Sequence, residues 1–226
     1  MKDLILLHGA LGAESQFEAL KEALKNDFNV YSFDFEGHGK QESNQDFSMD
    51  LFADNLAAFI QQNDLSKPAV FGYSMGGYVS LTLSLKSPEL LGEIITLGSK
   101  LKWSPEIAQA EIKKINPALI EEKVPKFAAY LDSLHLNWKQ NMEKTADMML
   151  GLGDGKALTL EDFSRVKNTV YMGLGELDEM VSREETQEVA KAIGAEFFLL
   201  ENTKHPLPGI SIDLLSATIR ERFLKY

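Results

Sequence analysis

Three residues that could act together on an acyl group lie far apart in the sequence, each in a glycine-rich or polar stretch. Ser74 occupies the middle of Gly72-Tyr73-Ser74-Met75-Gly76, Asp178 closes the stretch 173–178, and His205 lies in a polar loop near the end of the chain. A serine hydroxyl becomes a nucleophile when a histidine takes its proton and a carboxylate orients that histidine. These residue types therefore indicate nucleophilic catalysis.

The residues around Ser74 predict a strand, a sharp turn and a helix. An apolar run over 68–71 precedes the serine, and a helix-like run over 77–85 follows it. Glycines at 72 and 76 remove Cβ atoms that would collide in so tight a turn. The N-terminal N–H groups of the helix would then face the serine, where they favour developing negative charge.

The rest of the chain alternates between strand and helix patterns. Apolar runs predict strands at 4–7, 29–33, 68–73, 93–97, 169–174 and 196–200, and helices are expected at 14–26, after Ser48, at 182–193 behind a capping-box pattern, and at 212–223. This alternation is typical of a doubly wound, mostly parallel α/β sheet. Ligands bind such sheets beyond the carboxyl ends of the strands. The loops that carry His8, Asp34, Ser74, Asp178 and His205 all follow predicted strands.

Regular alternation stops after residue 100. Residues 101–156 are expected to form a helical cap insertion, whereas 1–100 and 157–226 form the core. Three helices are predicted in the insertion, at 105–115, 117–131 and 137–150, and Pro105 and Pro117 suit the first turns of two of them.

The chain resembles the α/β-hydrolase superfamily. The resemblance rests on the Gly-Tyr-Ser-Met-Gly-Gly turn at 72–77, the His-Gly-Ala-Leu-Gly loop at 8–12, the Gly-Glu-Leu-Asp segment at 175–178, and the late histidine. The family's chain order of nucleophile, acid and histidine is also present. The resemblance implies that Ser74 is the nucleophile, His205 the general base and Asp178 the acid. Family members commonly begin with a β-hairpin, but only seven residues precede His8, so six strands are expected.

The resemblance also implies an oxyanion hole formed by the backbone N–H groups of Ala10 and Met75, with Leu11 as the alternative to Ala10. The other histidines are interpreted as structural. His8 is expected to brace its own loop, His38 lies in a Gly-His-Gly turn, and His135 is expected at the surface of the insertion. Asp34, after the second strand, is the alternative acid.

The substrate pocket is predicted to include Leu11, Tyr73, Trp103 and Trp138. Further apolar side chains of the insertion could line the pocket or form the insertion's own core: Phe127, Tyr130, Met142, Met148 and Met149.

The expected function is hydrolysis of an ester or related acyl bond in a small molecule. The alternatives are a non-hydrolytic ligand receptor, a perhydrolase, and an eliminase similar to a menaquinone-pathway enzyme. Relatives of that last enzyme have an arginine where this chain has Tyr78.

Composition restricts the partners. The formal net charge of -11 argues against non-specific binding to nucleic acid or to an anionic membrane, although one local cation could still hold a small anionic substrate. The absence of cysteine excludes disulfides and cysteine-ligated metals, and we expect neither a metal nor a cofactor. No signal peptide or membrane-spanning run is apparent, which predicts a cytoplasmic protein. The sequence leaves the oligomeric state open.

Overall fold

A six-stranded parallel sheet forms the centre of the computed structural model, which describes residues 1–224. The last two residues of the predicted core range 157–226 therefore lie outside the described residues. The strands are β1 (Lys2–Leu7), β2 (Phe28–Ser32), β3 (Ala69–Tyr73), β4 (Ile94–Leu97), β5 (Val170–Gly175) and β6 (Glu196–Leu200). Their order is β2-β1-β3-β4-β5-β6, and every neighbouring pair is parallel. The predicted fold class is confirmed.

Helices cover both faces of the sheet because successive side chains of a strand point to opposite sides. Leu4 and Leu6 of β1 belong to one apolar core, whereas Ile5 and Leu7 belong to the other. The first core is covered by α1 (Glu18–Leu24) and by the closing helix, Ile212–Phe223. The second is covered by α2 (Met49–Gln62), α3 (Met75–Lys86) and two later helices, Leu160–Ser164 and Arg183–Ile193.

Between β4 and β5 the chain forms the helical insertion. Its helices are α4 (Pro105–Ile112), α5 (Pro117–Lys123), α6 (Pro125–Leu134) and α7 (Trp138–Gly151). The helices of the core that follow β4 in the chain are accordingly α8 (Leu160–Ser164), α9 (Arg183–Ile193) and α10 (Ile212–Phe223). The prediction of one helix over 117–131 was wrong. Pro125 lacks an N–H and disfavours helical geometry in the preceding residue, and Val124 has φ −136° and ψ 56°. Within residues 1–224, no helix has both the length and the apolar character needed to span a bilayer.

Three histidines form a buried cluster near the loop that follows β1. The ring centroids of His8 and His38 are 5.1 Å apart, and those of His38 and His135 are 6.0 Å apart. Nε2 of His8 accepts a hydrogen bond from the amide of Phe35 (3.2 Å), so Nδ1 carries the proton and donates to the Gly9 carbonyl (2.8 Å). His8 thus braces its own loop, as expected.

The prediction that His135 lies at the surface was wrong, because only 3% of this residue is exposed. Its Nδ1 accepts from the Gly39 amide (2.9 Å), and its Nε2 donates to the Leu11 carbonyl (3.0 Å). The Leu136 amide adds a hydrogen bond to the Gly39 carbonyl (3.0 Å). The end of α6 is therefore tied to two loops of the core, one of which is the loop at 8–12.

These histidines should make the fold sensitive to acid. Burial lowers the pKa of His8 from 6.5 to about 4, with His135 adding to the effect and Asp34 opposing it; burial also lowers the pKa of His38 and His135. A pKa that is lower in the folded state means that the unfolded chain binds more protons below pH 6.5. The free energy of unfolding therefore falls as the pH falls from 6.5 towards 4.

We predict that the free energy of unfolding, measured by urea titration, decreases between pH 7.5 and pH 5.0. His8 alone should contribute about 2 kcal/mol of this decrease, at 1.36 kcal/mol for each pKa unit. In a His8→Asn variant, which keeps an acceptor oxygen but cannot titrate, the decrease should be smaller by about that amount. Equal decreases in the variant and the wild type would contradict the prediction.

Candidate active site

Ser74 lies in a strained turn that joins β3 directly to α3. Its φ of 51° and ψ of −116° are rare for a residue with a side chain. The turn needs glycine beside it, because a Cβ on Gly72 would lie 2.5 Å from the Gly76 carbonyl oxygen. Hydrogen bonds hold the turn from both sides: the Ser74 amide donates to the Leu97 carbonyl (2.8 Å), and the Ser74 carbonyl accepts from the Ser99 hydroxyl (2.7 Å).

Asp178 and His205 form a hydrogen-bonded pair. Nδ1 of His205 donates to Oδ2 of Asp178 (2.7 Å), while Oδ1 accepts from the amides of Met180 (2.8 Å) and Val181 (3.0 Å). Burial alone would raise the pKa of Asp178, but the hydrogen bonds from the imidazole and the two amides outweigh it and hold the pKa below its ordinary value. At neutral pH the ionised carboxylate therefore fixes the tautomer in which Nε2 can accept a proton.

Three contacts position this pair on the loops after β5 and β6. The Leu177 amide donates to the Thr203 carbonyl (2.9 Å), and the Asn202 amide donates to Oε2 of Glu176 (2.9 Å). Beneath the histidine, the Tyr73 hydroxyl donates to the His205 carbonyl (2.7 Å). The two loops are thus bound to each other and to the strand that leads into Ser74.

Asp34, the alternative acid, is engaged elsewhere. Its Oδ1 accepts from the Glu14 amide (2.8 Å) and its Oδ2 from the Lys40 amide (3.0 Å). Both oxygens therefore bind loop backbone, whereas the carboxylate bonded to His205 is that of Asp178.

A cavity of about 70 Å³ brings the remaining predicted groups together, since Ser74, His205, Ala10 and Met75 all line it. Met75 is the first residue of α3, and the first N–H groups of a helix have no carbonyl partner within the helix. Its amide is therefore suited to bind a developing oxyanion. Five of the eight methionines also line the cavity: Met49, Met75, Met148, Met149 and Met180.

The side chains predicted to line the substrate pocket divide into three groups. Trp103 lies at the cavity beside Ser74, as do Met148 and Met149. Leu11 and Tyr73 instead line a second cavity of about 440 Å³, together with Phe127 and Tyr130. Trp138, also predicted to line the pocket, lines neither of these cavities and packs with Ala128, Leu131 and Met142 in a separate core of the insertion.

The segment after β4 contains site residues that sequence reasoning missed. Gly98 has a φ of +62°, and a Cβ there would lie 3.2 Å from Oδ2 of Asp178 and 3.3 Å from Cε1 of His205. Only a residue without a side chain leaves the pair undisturbed in this conformation. A glycine immediately after a predicted strand was the signal that could have identified it.

Glu185 holds the same segment from α9. The Ser182 hydroxyl accepts from the Glu185 amide (3.1 Å), so the predicted helix cap is present. The Glu185 carboxylate, however, does not close the predicted capping box; it accepts from the amides of Leu101 and Lys102. A buried carboxylate, 9% exposed, thus fixes the chain where it enters the insertion.

Comparisons with known proteins agree with this architecture. A family model described as the alpha/beta hydrolase fold matches residues 3–137. Ethanol acetyltransferase 1 of Hanseniaspora uvarum is 28% identical over 106 residues, which are 46% of this chain and 32% of that protein. The sn-1-specific diacylglycerol lipase ABHD11 of Danio rerio is 28% identical over 124 residues, which are 54% of this chain and 38% of that protein. The matched part thus spans well under half of either relative.

A solved structure of a thermophilic esterase from Thermogutta terrifontis is similar over 98% of this chain and 89% of its own, with a TM-score of 0.79 and 20% sequence identity. At that identity the likeness concerns the fold alone. The family match covers more than half of the chain. The protein therefore belongs to the alpha/beta hydrolase fold family.

Proposed function

We propose that this protein is a serine hydrolase that cleaves an ester or related acyl bond in a small molecule. The observation that carries the proposal is the hydrogen bond between His205 and the buried, ionised carboxylate of Asp178. His205 also lines the same cavity as Ser74. A serine, a histidine and a buried carboxylate placed in this way have the roles of a catalytic triad.

The reaction proceeds in two halves. Ser74 Oγ attacks the acyl carbon while Nε2 of His205 takes the hydroxyl proton, and the amides of Ala10 and Met75 bind the resulting oxyanion. The C–O bond to the alcohol then breaks, the imidazolium gives its proton to the departing oxygen, and an acyl-serine remains. Water repeats the sequence with the same proton transfers and releases the acid. Asp178 stays ionised and stabilises the imidazolium in both halves.

The names of the relatives are consistent with this intermediate. One is named a lipase and the other an ethanol acetyltransferase, and both hydrolysis and transfer of an acyl group can start from an acyl-serine. They differ in whether water or an alcohol accepts the acyl group. We propose water as the acceptor here.

The cavity favours a short acyl group. Methionine side chains are flexible and polarisable, so they adapt to apolar groups of different shape. A volume of about 70 Å³, however, leaves little room for a long chain. Trp103, which donates a hydrogen bond from Nε1 to the Lys100 carbonyl (3.3 Å), is a large side chain limiting that volume.

The first test concerns the nucleophile. A fluorophosphonate probe should label the wild-type protein at Ser74, and Ser74→Ala should abolish both labelling and ester turnover, since no other hydroxyl would be activated by His205. Intact-mass and peptide mass spectrometry would identify the labelled residue. Equal labelling of the Ala variant would refute the assignment. A wild-type protein that neither reacts with the probe nor turns over esters would instead favour a non-hydrolytic binding protein.

The second test concerns the acid. Asp178→Asn keeps the shape but removes the charge that selects the reactive tautomer, and a comparable change in a protease triad costs about 10⁴ in kcat. We expect a loss of at least 100-fold in kcat, with a far-ultraviolet circular dichroism spectrum like that of the wild type. Asp34→Asn is the matched comparison. A larger loss of kcat in Asp34→Asn than in Asp178→Asn would reverse the assignment.

The third test concerns acyl-chain preference. Trp103→Phe should enlarge the cavity and shift kcat/KM towards longer acyl chains, because one methylene in an apolar pocket is worth about 1–3 kcal/mol. Trp138→Phe is the control, since that ring lies in the insertion's own core; it should lower the melting temperature without changing the preference. The measurement is kcat/KM for ethyl esters from acetate to octanoate. The same shift in both variants would contradict the assignment of Trp103 to the pocket.

A further inference from the structure

Two charged side chains line the mostly apolar cavity at Ser74. Lys100, which follows β4, and Glu111, on α4, lie among methionines and Trp103. Both are largely buried, with side chains 20% and 11% exposed. Taking a charge out of water is costly unless other charges or hydrogen bonds replace the lost solvent. The burial of the Lys100 charge beside Ser74 therefore requires an explanation. Catalysis by Ser74, His205 and Asp178 does not use this lysine and does not explain it.

The backbone on both sides of Lys100 is fixed relative to the nucleophile. On one side, the Ser99 hydroxyl donates to the Ser74 carbonyl (2.7 Å). On the other, the Glu185 carboxylate binds the amides of Leu101 and Lys102. The backbone that carries the Lys100 side chain is thus held in place close to Ser74. Such a fixed backbone suits a group that binds the substrate at a defined distance from the reacting carbon.

The carboxylate that pairs with Lys100 is shared with a second lysine. Oε1 of Glu111 lies 3.4 Å from Nζ of Lys100, and its Oε2 lies 3.0 Å from Nζ of Lys114. One carboxylate is therefore shared between two ammonium groups. The carboxylates of Asp178 and Glu185 are bound by other groups, the first by Nδ1 of His205 and the second by two backbone amides. The separation of 3.4 Å also exceeds the roughly 2.7–2.9 Å of a strong charge-assisted hydrogen bond, so Nζ of Lys100 can take a better acceptor.

We infer that Lys100 binds a carboxylate at the far end of the substrate's acyl chain, and that the substrates are half-esters of short dicarboxylic acids. This inference rests on the proposed hydrolase function and specifies its substrate class. An amine-bearing substrate directed at Glu111 fits less well, because that carboxylate already serves two lysines. The small cavity restricts the chain to a few carbons between the ester and the acid.

The experiment compares ethyl hydrogen glutarate with ethyl pentanoate, which differ by a carboxylate in place of a terminal methyl group. Hydrolysis is followed by pH-stat titration, and the half-esters of succinate and adipate extend the series. We expect the wild-type protein to prefer the glutarate half-ester by at least tenfold in kcat/KM. Lys100→Met should reduce that preference at least tenfold, and Lys100→Arg should restore most of it.

Lys102→Met is the matched control, because Lys102 pairs with Glu188 on the outside of α9 and does not line the cavity. It should keep the wild-type preference. Should Lys100→Met fail to fold, as judged by its melting curve, Glu111→Gln provides the second variant. Removing the competing carboxylate should raise kcat/KM for the half-ester, and a fall would overturn the inference.

The outcomes separate this inference from the proposed function. Fluorophosphonate labelling of Ser74 together with equal kcat/KM for both esters, or with a preference that Lys100→Met leaves unchanged, would overturn the carboxylate site and leave the hydrolase intact. A wild-type protein without labelling or turnover would overturn both.

Discussion

The strained backbone at Ser74 is the feature on which the rest of the site depends. A residue held in such a conformation costs about 1–3 kcal/mol and persists only where its surroundings over-determine it. Here the Ser74 amide is bound by the end of β4, and its carbonyl by the hydroxyl of Ser99 and the amide of Gly77. The turn raises the hydroxyl into the cavity and places the first amides of α3 beside it. His205, Ala10 and Met75 line the same cavity.

The segment after β4 connects this turn to the other parts of the site. Gly98 leaves space for the Asp178–His205 pair, Ser99 binds the turn at Ser74, and Lys100 reaches the cavity. Glu185 then binds the next two amides from α9. Because each of these residues contacts a different element, a shift of this segment would disturb the turn at Ser74, the Asp178–His205 pair and the cavity together.

The insertion contacts the core through polar groups at its edges and through apolar groups above Ser74. On one side, His135 binds the loops at 8–12 and 37–39, and Asn141 Nδ2 donates to the Gly37 carbonyl (2.8 Å). On the other, Glu111 of α4 pairs with Lys100. Directional hydrogen bonds at both edges fix where the insertion sits, while the methionines between them remain adaptable. This division combines a defined cavity with a deformable lining.

The sequence by itself determined the order of strands and helices in the core, the parallel sheet and the loops that carry Ser74, Asp178 and His205. These features follow from local periodicity and from the rule that parallel strands end at a common edge, so they can be predicted without knowing any contact. The roles of those three residues in catalysis remain predictions.

Only the tertiary structure decided which side chains face the cavity. Trp103 and Trp138 look alike in sequence, yet one lines the cavity and the other fills the insertion's core. His135, Glu185 and Lys100 likewise acquire their roles from partners on distant elements, because burial and hydrogen bonding between such elements are set by packing and leave no periodic signal in the chain.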